Sequence, residues 1–189
     1  MKKGLLIIFS GPSGVGKGTI LNDLLAIKSL KLSYSVSMTT RDPRPGEIDG
    51  KSYFFVSKER FAQAVKNGEL LEHAEFVGHS YGTPKAYVDE QRAKGKNIIL
   101  EIETKGAKQV KKKYGEDVVS IYVVPPSIEV LKERLVGRNT EPKDVIRKRV
   151  AKAKRELKSL DLFDYVVTND DLKKTEKTIK EIIKKEMSK

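Results

Sequence analysis

Short apolar runs alternate along most of the chain with segments in which apolar residues recur every three or four positions. The first pattern is typical of buried strands and the second of helices that pack against a core. The apolar runs lie at 5–10, 97–102, 120–124 and 165–168. The helical segments lie at 20–25, 104–114, 127–136, 144–157 and 172–185. Buried strands that alternate with helices predict an α/β fold with a parallel sheet covered by helices on both faces.

Residues 33–96 follow a different pattern, in which polar and apolar residues alternate singly. The alternation occupies 34–37 and 53–56, and a stretch rich in Pro, Gly and Asp lies between them. A short helix at 58–67 would begin after the capping residue Ser57. This pattern predicts a small mixed α/β insertion on the main sheet.

We expect the whole chain, 1–189, to form one domain with three parts. Gly, Asn and Pro among charged residues at 137–150 are typical of a mobile lid. The insertion and the lid are expected to move against the core. In this division the core comprises 1–32, 97–136 and 151–189, the insertion 33–96 and the lid 137–150.

Composition limits the class of protein further. With 189 residues, 38% of them hydrophobic, the chain can bury one substantial core. It has no cysteine, which excludes disulfides and thiolate catalysis. No stretch approaches the ~20 apolar residues of a membrane span, and the N-terminal apolar run lacks a signal-peptide cleavage site. We therefore expect a cytoplasmic protein without a membrane partner.

The net charge of +12 would suit a nucleic-acid binder. Many of the lysines, however, fall on helical solvent faces, and no stacking aromatic motif accompanies them. We therefore do not expect dedicated nucleic-acid binding. The nine arginines are more informative, because Arg41 and Arg44 share one loop and five others lie between 134 and 155. Such clustering in a lysine-rich chain indicates bidentate phosphate recognition.

A glycine-rich loop joins the first apolar run to the first helical segment. Glycines allow the sharp turn that aims successive backbone N–H groups at one point, and the helix that follows adds the positive end of its dipole. Lys17 supplies a mobile positive charge for the outer phosphates. Strand, glycine-rich turn and helix in this order predict a loop that binds nucleotide phosphates. The loop consists of Gly11, Pro12, Ser13, Gly14, Val15, Gly16, Lys17, Gly18 and Thr19.

The position after the lysine departs from the usual loop pattern. A hydroxyl usually stands there and ligates Mg²⁺, whereas this chain has Gly18 there and a hydroxyl one residue later, at Thr19. We therefore expect Mg²⁺ to be held largely through water and the nucleotide's own oxygens. Glu101 and Glu103 end the apolar run at 97–102, where an acidic residue near such a loop commonly orders Mg²⁺ through water. Thr19 and Glu101 are the candidate metal ligands.

Seven segments, in this order along the chain, match one family pattern. They are the loop at 11–19, Ser-Met-Thr-Thr-Arg-Asp-Pro-Arg-Pro-Gly-Glu at 37–47, Asp-Gly-Lys-Ser-Tyr-Phe-Phe-Val at 49–56, Glu-Leu-Leu-Glu-His-Ala at 69–74, Tyr-Gly-Thr-Pro at 81–84, Arg-Leu-Val-Gly-Arg at 134–138 and Phe-Asp-Tyr-Val-Val-Thr-Asn-Asp at 163–170. From Leu5 to about Leu172 the chain strongly resembles the bacterial single-domain guanylate kinases. The loop alone is shared by nucleoside monophosphate kinases, whereas the segment at 37–47 is specific. The resemblance implies a P-loop kinase fold that uses MgATP and GMP in purine nucleotide metabolism.

The resemblance assigns a set of residues to GMP. Guanine presents two adjacent donors, N1–H and the 2-amino group, and Glu72 would accept from both. Adenine lacks this pair of donors and would leave Glu72 unpaired. Ser37 and Thr83 would donate to the acceptor edge of the base, while two arginines and two tyrosines would surround the phosphate. The assigned residues are Ser37, Arg41, Arg44, Tyr53, Glu72, Tyr81, Thr83, Glu101 and Glu103.

Plainer alternatives stay open for most of these residues. Glu72 could be a solvated charge at a helix end, the two tyrosines could be core-packing rings, and the two loop arginines could be ordinary surface charges. The family usually has Asp at position 101, at position 103 or at both. Glu101 and Glu103 could therefore pair with Lys105 instead.

The resemblance also assigns residues to the triphosphate of ATP. Arg134, Arg138 and Arg149 match lid arginines that close over the triphosphate and neutralise charge on the transferring group. Asn169 matches a position beside the adenine, and Asp170 is expected to cap the next helix. The implied catalytic set is Lys17, Arg41, Arg134, Arg138 and Arg149.

The implied reaction is reversible transfer of the γ-phosphoryl group of MgATP to GMP, which gives ADP and GDP. The attacking phosphate oxygen of GMP is already ionised at neutral pH, so neither a general base nor a protein nucleophile is needed. Three alternatives stay open: a monophosphate kinase for AMP or dTMP, a non-catalytic guanylate-kinase-like binding module, and a basic nucleic-acid binder. A monomer and a homo-oligomer both fit the sequence.

Overall fold

The computed structural model describes residues 2–76, 78–137 and 142–189. The strands within these residues are β1 (Leu6–Ser10), β2 (Leu32–Tyr34), β3 (Met38–Thr39), β4 (Phe54–Phe55), β5 (Leu70–Phe76), β6 (His79–Pro84), β7 (Asn97–Glu101), β8 (Val119–Val124) and β9 (Tyr165–Thr168). The α-helices are α1 (Lys17–Leu25), α2 (Lys58–Lys66), α3 (Lys85–Ala93), α4 (Thr104–Tyr114), α5 (Ile128–Gly137), α6 (Lys143–Glu156) and α7 (Leu172–Ser188). Short 3₁₀ helices occupy Lys28–Leu30, Gly115–Asp117 and Leu157–Leu162.

The chain forms two compact units, and strand β1 contributes to both. The first unit comprises Met1–Ile7 and Ser33–Val118, and the second comprises Ile8–Leu32 and Val119–Lys189. In the first unit β7 lies between β2 and β1, and the strands β4, β3, β6 and β5, in this order, form a four-stranded sheet. In the second unit β8 lies between β1 and β9 and pairs with β9 in parallel.

Strands β1, β7 and β8 form the buried centres of the units, as their continuous apolar sequences require. Every residue of β1 is buried, and Ile98, Ile99 and Leu100 of β7 are at most 1% exposed. Full burial of one such side chain stabilises a fold by about 1.5–3 kcal/mol. The loops that follow these strands are therefore attached to rigid supports.

The α/β fold with a parallel sheet flanked by helices is confirmed. The predicted strands correspond to β1, β7, β8 and β9, and the predicted helices to α1, α2, α4, α5, α6 and α7. Ser57 caps α2 as expected, since its side chain accepts a hydrogen bond from the N–H of Arg60 at 3.1 Å. The expected cap of α7 is wrong: Asp171, and not Asp170, accepts from the N–H of Lys174 at 2.8 Å. None of the helices in the described part of the chain has the length and apolar character that crossing a membrane requires.

The sequence pattern did not predict α3 or the strands β5 and β6. Helix α3 buries Val88 and Arg92, and an arginine at a core-facing position hides the apolar periodicity by which a helix is identified. Strand β5 carries the buried Glu72, which hides the strand in the same way. In α3 and β5, therefore, a buried charged side chain takes a place where the pattern requires an apolar one.

Arg92 is 2% exposed and connects separate parts of the first unit. Its Nε donates to the carbonyl of Gly4 at 2.8 Å, and Nη1 and Nη2 donate to the Asp117 carboxylate at 3.1 and 3.0 Å. The guanidinium holds the pKa of Asp117 below its usual range. A buried guanidinium needs such partners, because it has lost its hydration.

We expect Arg92→Met to lower the free energy of unfolding by about 2 kcal/mol, because it removes charge-assisted hydrogen bonds and leaves the Gly4 carbonyl without this donor. Urea denaturation near neutral pH measures the change, with Lys94→Met, at the exposed end of the same helix, as control. The lowered pKa of Asp117 means that its bond stabilises the fold above the unfolded pKa and is lost as pH falls through the folded pKa. The deficit of Arg92→Met should therefore shrink in acid. Equal stability of the two variants near neutral pH would contradict this role.

Candidate active site

The glycine-rich loop connects β1 to α1 in the second unit. Gly14 and Gly16 have φ angles of +88° and +102°, in the left-handed region that favours glycine. A Cβ at Gly14 would lie 2.7 Å from the side chain of Leu135, and a Cβ at Gly16 would lie 2.7 Å from that of Asn169. The loop therefore has room only for backbone at these two positions. It leads directly into α1 at Lys17, and a helix N-terminus offers N–H groups and a positive dipole end to anions.

The Lys17 ammonium lies against the same loop. Its Nζ donates to the carbonyl of Gly11 at 2.8 Å and to the carbonyl of Pro12 at 3.3 Å. Lys17 therefore adds a full positive charge to the anion-binding end of α1, where the outer phosphates of a nucleotide would meet it.

Asn169 holds the loop through the nitrogen of its side-chain amide. Its Nδ2 donates to the carbonyl of Val15 at 2.7 Å. The Thr175 hydroxyl lies 3.1 Å from the Oδ1 of Asn169 but closer, at 2.8 Å, to the carbonyl of Asp171, and its one proton serves one acceptor at a time. The position beside the adenine that the resemblance implies for Asn169 stays a prediction, and in the structure its amide also holds the loop. Thr175 has no motif of its own, because its position in α7 is that of an ordinary buried helix residue.

Two of the three predicted lid arginines contact the surroundings of the loop. Arg134 Nη2 donates to the backbone carbonyl of Asn169 at 3.0 Å, and Arg149 Nη1 donates to the Ser13 hydroxyl at 2.5 Å. The third, Arg138, lies outside the described residues. A cavity of about 400 Å³ in the second unit has backbone, hydroxyl and cationic groups, which suit phosphate, and one carboxylate, that of Asp170, which does not. Its lining includes Gly14, Gly16, Thr19, Arg134, Asn169 and Leu172.

Glu72 lies on β5 in the first unit and is 6% exposed. Thr83 Oγ1, on β6, donates to its Oε1 at 2.7 Å. A Cβ at Gly106 would lie 2.8 Å from its Oε2, so only glycine leaves that oxygen its present place. Burial raises the pKa of Glu72, while hydrogen bonds from the hydroxyl and the backbone N–H of Thr83 and the positive charge of Lys113 oppose the rise. Glu72 is therefore a buried carboxylate and not a solvated charge at a helix end.

The role expected of Thr83 at a base stays a prediction, and the structure shows a further contact of its hydroxyl. Thr83 was expected to donate to the acceptor edge of a base, but a hydroxyl has one proton, and in the structure that proton goes to Glu72. Thr83 therefore positions Glu72 and offers only lone pairs to a ligand in this arrangement. Ser37 stays the candidate donor to the base.

A cavity of about 280 Å³ in the first unit collects several predicted residues. Its lining includes Tyr34, Ser37, Tyr53, Thr83 and Glu101. The other residues assigned to GMP are not part of this lining: Arg41, Arg44, Glu72, Tyr81 and Glu103. Glu103 lies before α4 and is exposed. Tyr34 was missed, because one tyrosine in an alternating strand has the pattern of a packing residue. Burial and the nearby Glu101 raise the pKa of Tyr34 to about 12, so its phenol stays protonated.

Arg41, Tyr53 and Tyr81 lie together in the first unit. The Arg41 Cζ is 5.5 Å from the centroid of the Tyr53 ring, and the Tyr53 and Tyr81 rings are 6.1 Å apart. Arg41 Nη2 donates to both oxygens of Glu47, at 2.8 and 2.9 Å, and the backbone N–H of Arg44 donates to the same carboxylate at 2.7 Å. The pair holds the pKa of Glu47 below its usual range and raises that of Arg41. Glu47 was missed as a site residue, although a charge opposite to that of Arg41 in one short loop was a usable signal.

The donor set of the loop cavity suits Mg²⁺ that arrives with a nucleotide. Among residues 2–76, 78–137 and 142–189, no group of three or more His, Asp or Glu side chains could hold a metal ion by itself. Thr19 is exposed at the beginning of α1 and lines the cavity. Its hydroxyl is the kind of oxygen ligand that Mg²⁺ accepts beside water and phosphate.

Comparison with known protein families assigns the chain to one family, and that family agrees with the site residues described above. A family model described as guanylate kinase matches residues 3–186, nearly the whole chain. The chain belongs to the guanylate kinase family. Membership in the guanylate kinase family places it among the nucleoside monophosphate kinases.

Individual guanylate kinases match over nearly their full length. The guanylate kinase of Streptococcus thermophilus (strain CNRZ 1066) is 49% identical over 98% of this chain and 88% of its own length. That of a Bacillus cereus strain is 50% identical over 96% of this chain and 88% of its own. A crystal structure of guanylate kinase from Anaplasma phagocytophilum covers 100% of this chain and 88% of that chain, with a TM-score of 0.76 and 35% identity. The P-loop kinase fold implied by the resemblance is confirmed.

We expect Glu72→Gln to stabilise the protein. Because the folded pKa of Glu72 lies above its unfolded value, the ionised side chain opposes folding, and this effect grows as pH rises through the folded pKa. Glutamine can still accept the Thr83 hydrogen bond but carries no charge. The melting temperature of Glu72→Gln should exceed that of the wild type at neutral and basic pH, with a smaller margin in acid. Glu75→Gln, at an exposed position of the same strand, is the control, and a Glu72→Gln variant less stable than the wild type at every pH would contradict the expectation.

Proposed function

We propose that this chain transfers the γ-phosphoryl group of MgATP to GMP, reversibly, and so forms ADP and GDP. The observation that carries the proposal is the buried Glu72 carboxylate, held by Thr83 in a chain that also has a glycine-rich phosphate-binding loop with its lysine. Membership in the guanylate kinase family supports GMP as the acceptor.

Glu72 is suited to guanine because a carboxylate can accept several hydrogen bonds. Thr83 occupies part of Oε1, and the remaining lone pairs can accept from N1–H and the 2-amino group of the base. Adenine has no such adjacent pair of donors. Bound adenine would leave a buried charge without its partner, a mismatch that can reduce binding by about 100-fold.

The group around Arg41 would receive the phosphate of GMP. Arg41 and Arg44 offer guanidinium groups, and Tyr53 and Tyr81 offer phenol hydroxyls, which together suit a dianion. Glu47 holds Arg41 in place before the phosphate arrives. A fixed guanidinium loses less side-chain entropy on binding than a free one.

The loop of the second unit would hold the triphosphate of ATP. Loop N–H groups and Lys17 would bind the phosphates, and Arg134 and Arg149 lie near enough to the loop to screen their charge. The assignment of Arg138 rests on sequence alone. Bound Mg²⁺, held near Thr19 through water and phosphate oxygens, would neutralise charge on the β- and γ-phosphates. The contacts of Glu101 and Glu103 with guanine or metal stay predictions.

The reaction needs positioning and electrostatic stabilisation but no protein nucleophile. The attacking oxygen of GMP is ionised at neutral pH, and the transferring group passes in line from one phosphate to the other. The intact loop and Lys17 favour an enzyme over a non-catalytic binding module. A non-catalytic module would have no use for a phosphate-binding loop whose glycines and lysine are all in place.

We expect the wild type to release ADP from ATP with GMP far more efficiently than with AMP or dTMP. In a coupled ADP-release assay, Glu72→Gln should lower kcat/KM for GMP by about 100-fold, because the amide offers the base a donor where it needs an acceptor. Glu75→Gln is the matched control and should behave as the wild type. A preference for AMP over GMP in the wild type would overturn the assignment of the acceptor.

Gly106→Ala should weaken GMP binding without weakening the fold. The new methyl group would displace the Glu72 carboxylate, whereas alanine in a helix is about 1 kcal/mol more favourable than glycine. Titration with GMP and thermal melting measure the two effects. In a Glu72→Ala background the same change should leave GMP binding unaltered. Normal GMP affinity in the single variant would show that Gly106 has no such role.

A further inference from the structure

Glu72 lies in the irregular part of an edge strand. Strand β5 is the last strand of the four-stranded sheet, so within that sheet it pairs only with β6. Its register with β6 shifts between Leu70 and His73, the stretch that contains Glu72. Such an irregularity interrupts the regular ladder and lets a strand bend. Pairing with β6 alone therefore gives Glu72 weak support.

Helix α4 packs against β5 and supplies backbone partners at this place. Gln109 Oε1 accepts from the N–H of His73 at 3.2 Å, and Gln109 Nε2 donates to the carbonyl of His73 at 3.0 Å. Lys113 Nζ donates to the carbonyl of Leu70 at 2.6 Å. The two side chains thus bind the strand backbone on both sides of Glu72.

The same face of α4 also meets the Glu72 side chain itself. Gly106 precedes Gln109 by three residues and Lys113 by seven, a spacing that places all three on one face of a helix. Gly106 gives the Oε2 atom its space, and Lys113 contributes a positive charge that favours the ionised carboxylate. Among the described residues, Lys113 from α4 and Thr83 from β6 are the groups that act on Glu72 by charge or hydrogen bond.

We propose that Gln109 and Lys113 are positioning residues that hold the Glu72 carboxylate in the geometry that reads a guanine base. The inference rests on the proposed function and assigns part of its base selectivity to helix α4. Neither residue has to touch the substrate. Loss of either one lets the irregular strand relax and moves the carboxylate relative to N1–H and the 2-amino group.

GMP and inosine monophosphate (IMP) distinguish this role from general damage to the site. Both nucleotides carry the same phosphate and an N1–H donor, but IMP lacks the 2-amino group, so only GMP uses both donors at Glu72. The ratio of the two affinities therefore reports the placement of the carboxylate. General loosening of the site would lower both affinities together.

The experiment compares the full chain with Gln109→Ala, Lys113→Met and the control Lys112→Met, which removes a neighbouring exposed charge of α4. Calorimetric titration should show the GMP-to-IMP affinity ratio falling about fivefold to tenfold in the first two variants and unchanged in the control. KM for GMP should rise while kcat changes little. In Lys113→Met the loss of GMP affinity on acidification should begin at a higher pH, because the pKa of Glu72 rises without the nearby positive charge.

The outcomes separate the positioning role from the function on which it rests. A wild type that does not bind GMP would overturn the proposed function and this inference with it. If the wild type prefers GMP and both variants keep its affinity ratio, or lose affinity for the two nucleotides equally, the positioning role is wrong and the function stands. Should Gln109→Ala fail to fold, Gln109→Met, which keeps the length of the side chain without its amide, and Lys113→Met decide by the same ratio.

Discussion

Burial of the Glu72 carboxylate is the constraint on which much of the first unit depends. A buried charge needs hydrogen-bond partners, yet a carboxylate whose lone pairs are all occupied would have nothing left for a ligand. Thr83 takes part of one oxygen, and the missing side chain of Gly106 leaves space at the other. Under the proposed function, the fold and the ligand would use the same two oxygen atoms of Glu72, and Thr83 and Gly106 would determine how much of each stays available.

In the second unit, the glycine-rich loop must keep its backbone N–H groups available for an anion. Gly14 and Gly16 adopt φ angles that only glycine adopts readily, and both approach other side chains too closely to carry one. A loop of this kind needs outside support to keep its shape. The amide of Asn169 provides it through its hydrogen bond to the carbonyl of Val15.

The sequence allowed most of the fold to be predicted, because strands such as β1 and β7 are encoded by local apolar runs. It failed at α3 and β5, where Arg92 and Glu72 are buried and break the pattern. The phosphate site at 11–19 could also be predicted, because its glycines and lysine are contiguous in the sequence. The partners that support the candidate site could not, since the contact of Gln109 with His73 joins residues 36 positions apart. Only folding brings such pairs together, and no pattern in the sequence indicates them.

The pairing of Arg41 with Glu47 has a consequence for uncharged analogues of a nucleotide. An arriving phosphate meets a guanidinium that already has an anionic neighbour, so it must share that cation or displace its partner. A nucleoside with the same base has no negative charge, so it can neither share Arg41 with Glu47 nor displace Glu47 from it. Under the proposed function, this loop would therefore bind a nucleoside monophosphate more readily than the corresponding nucleoside.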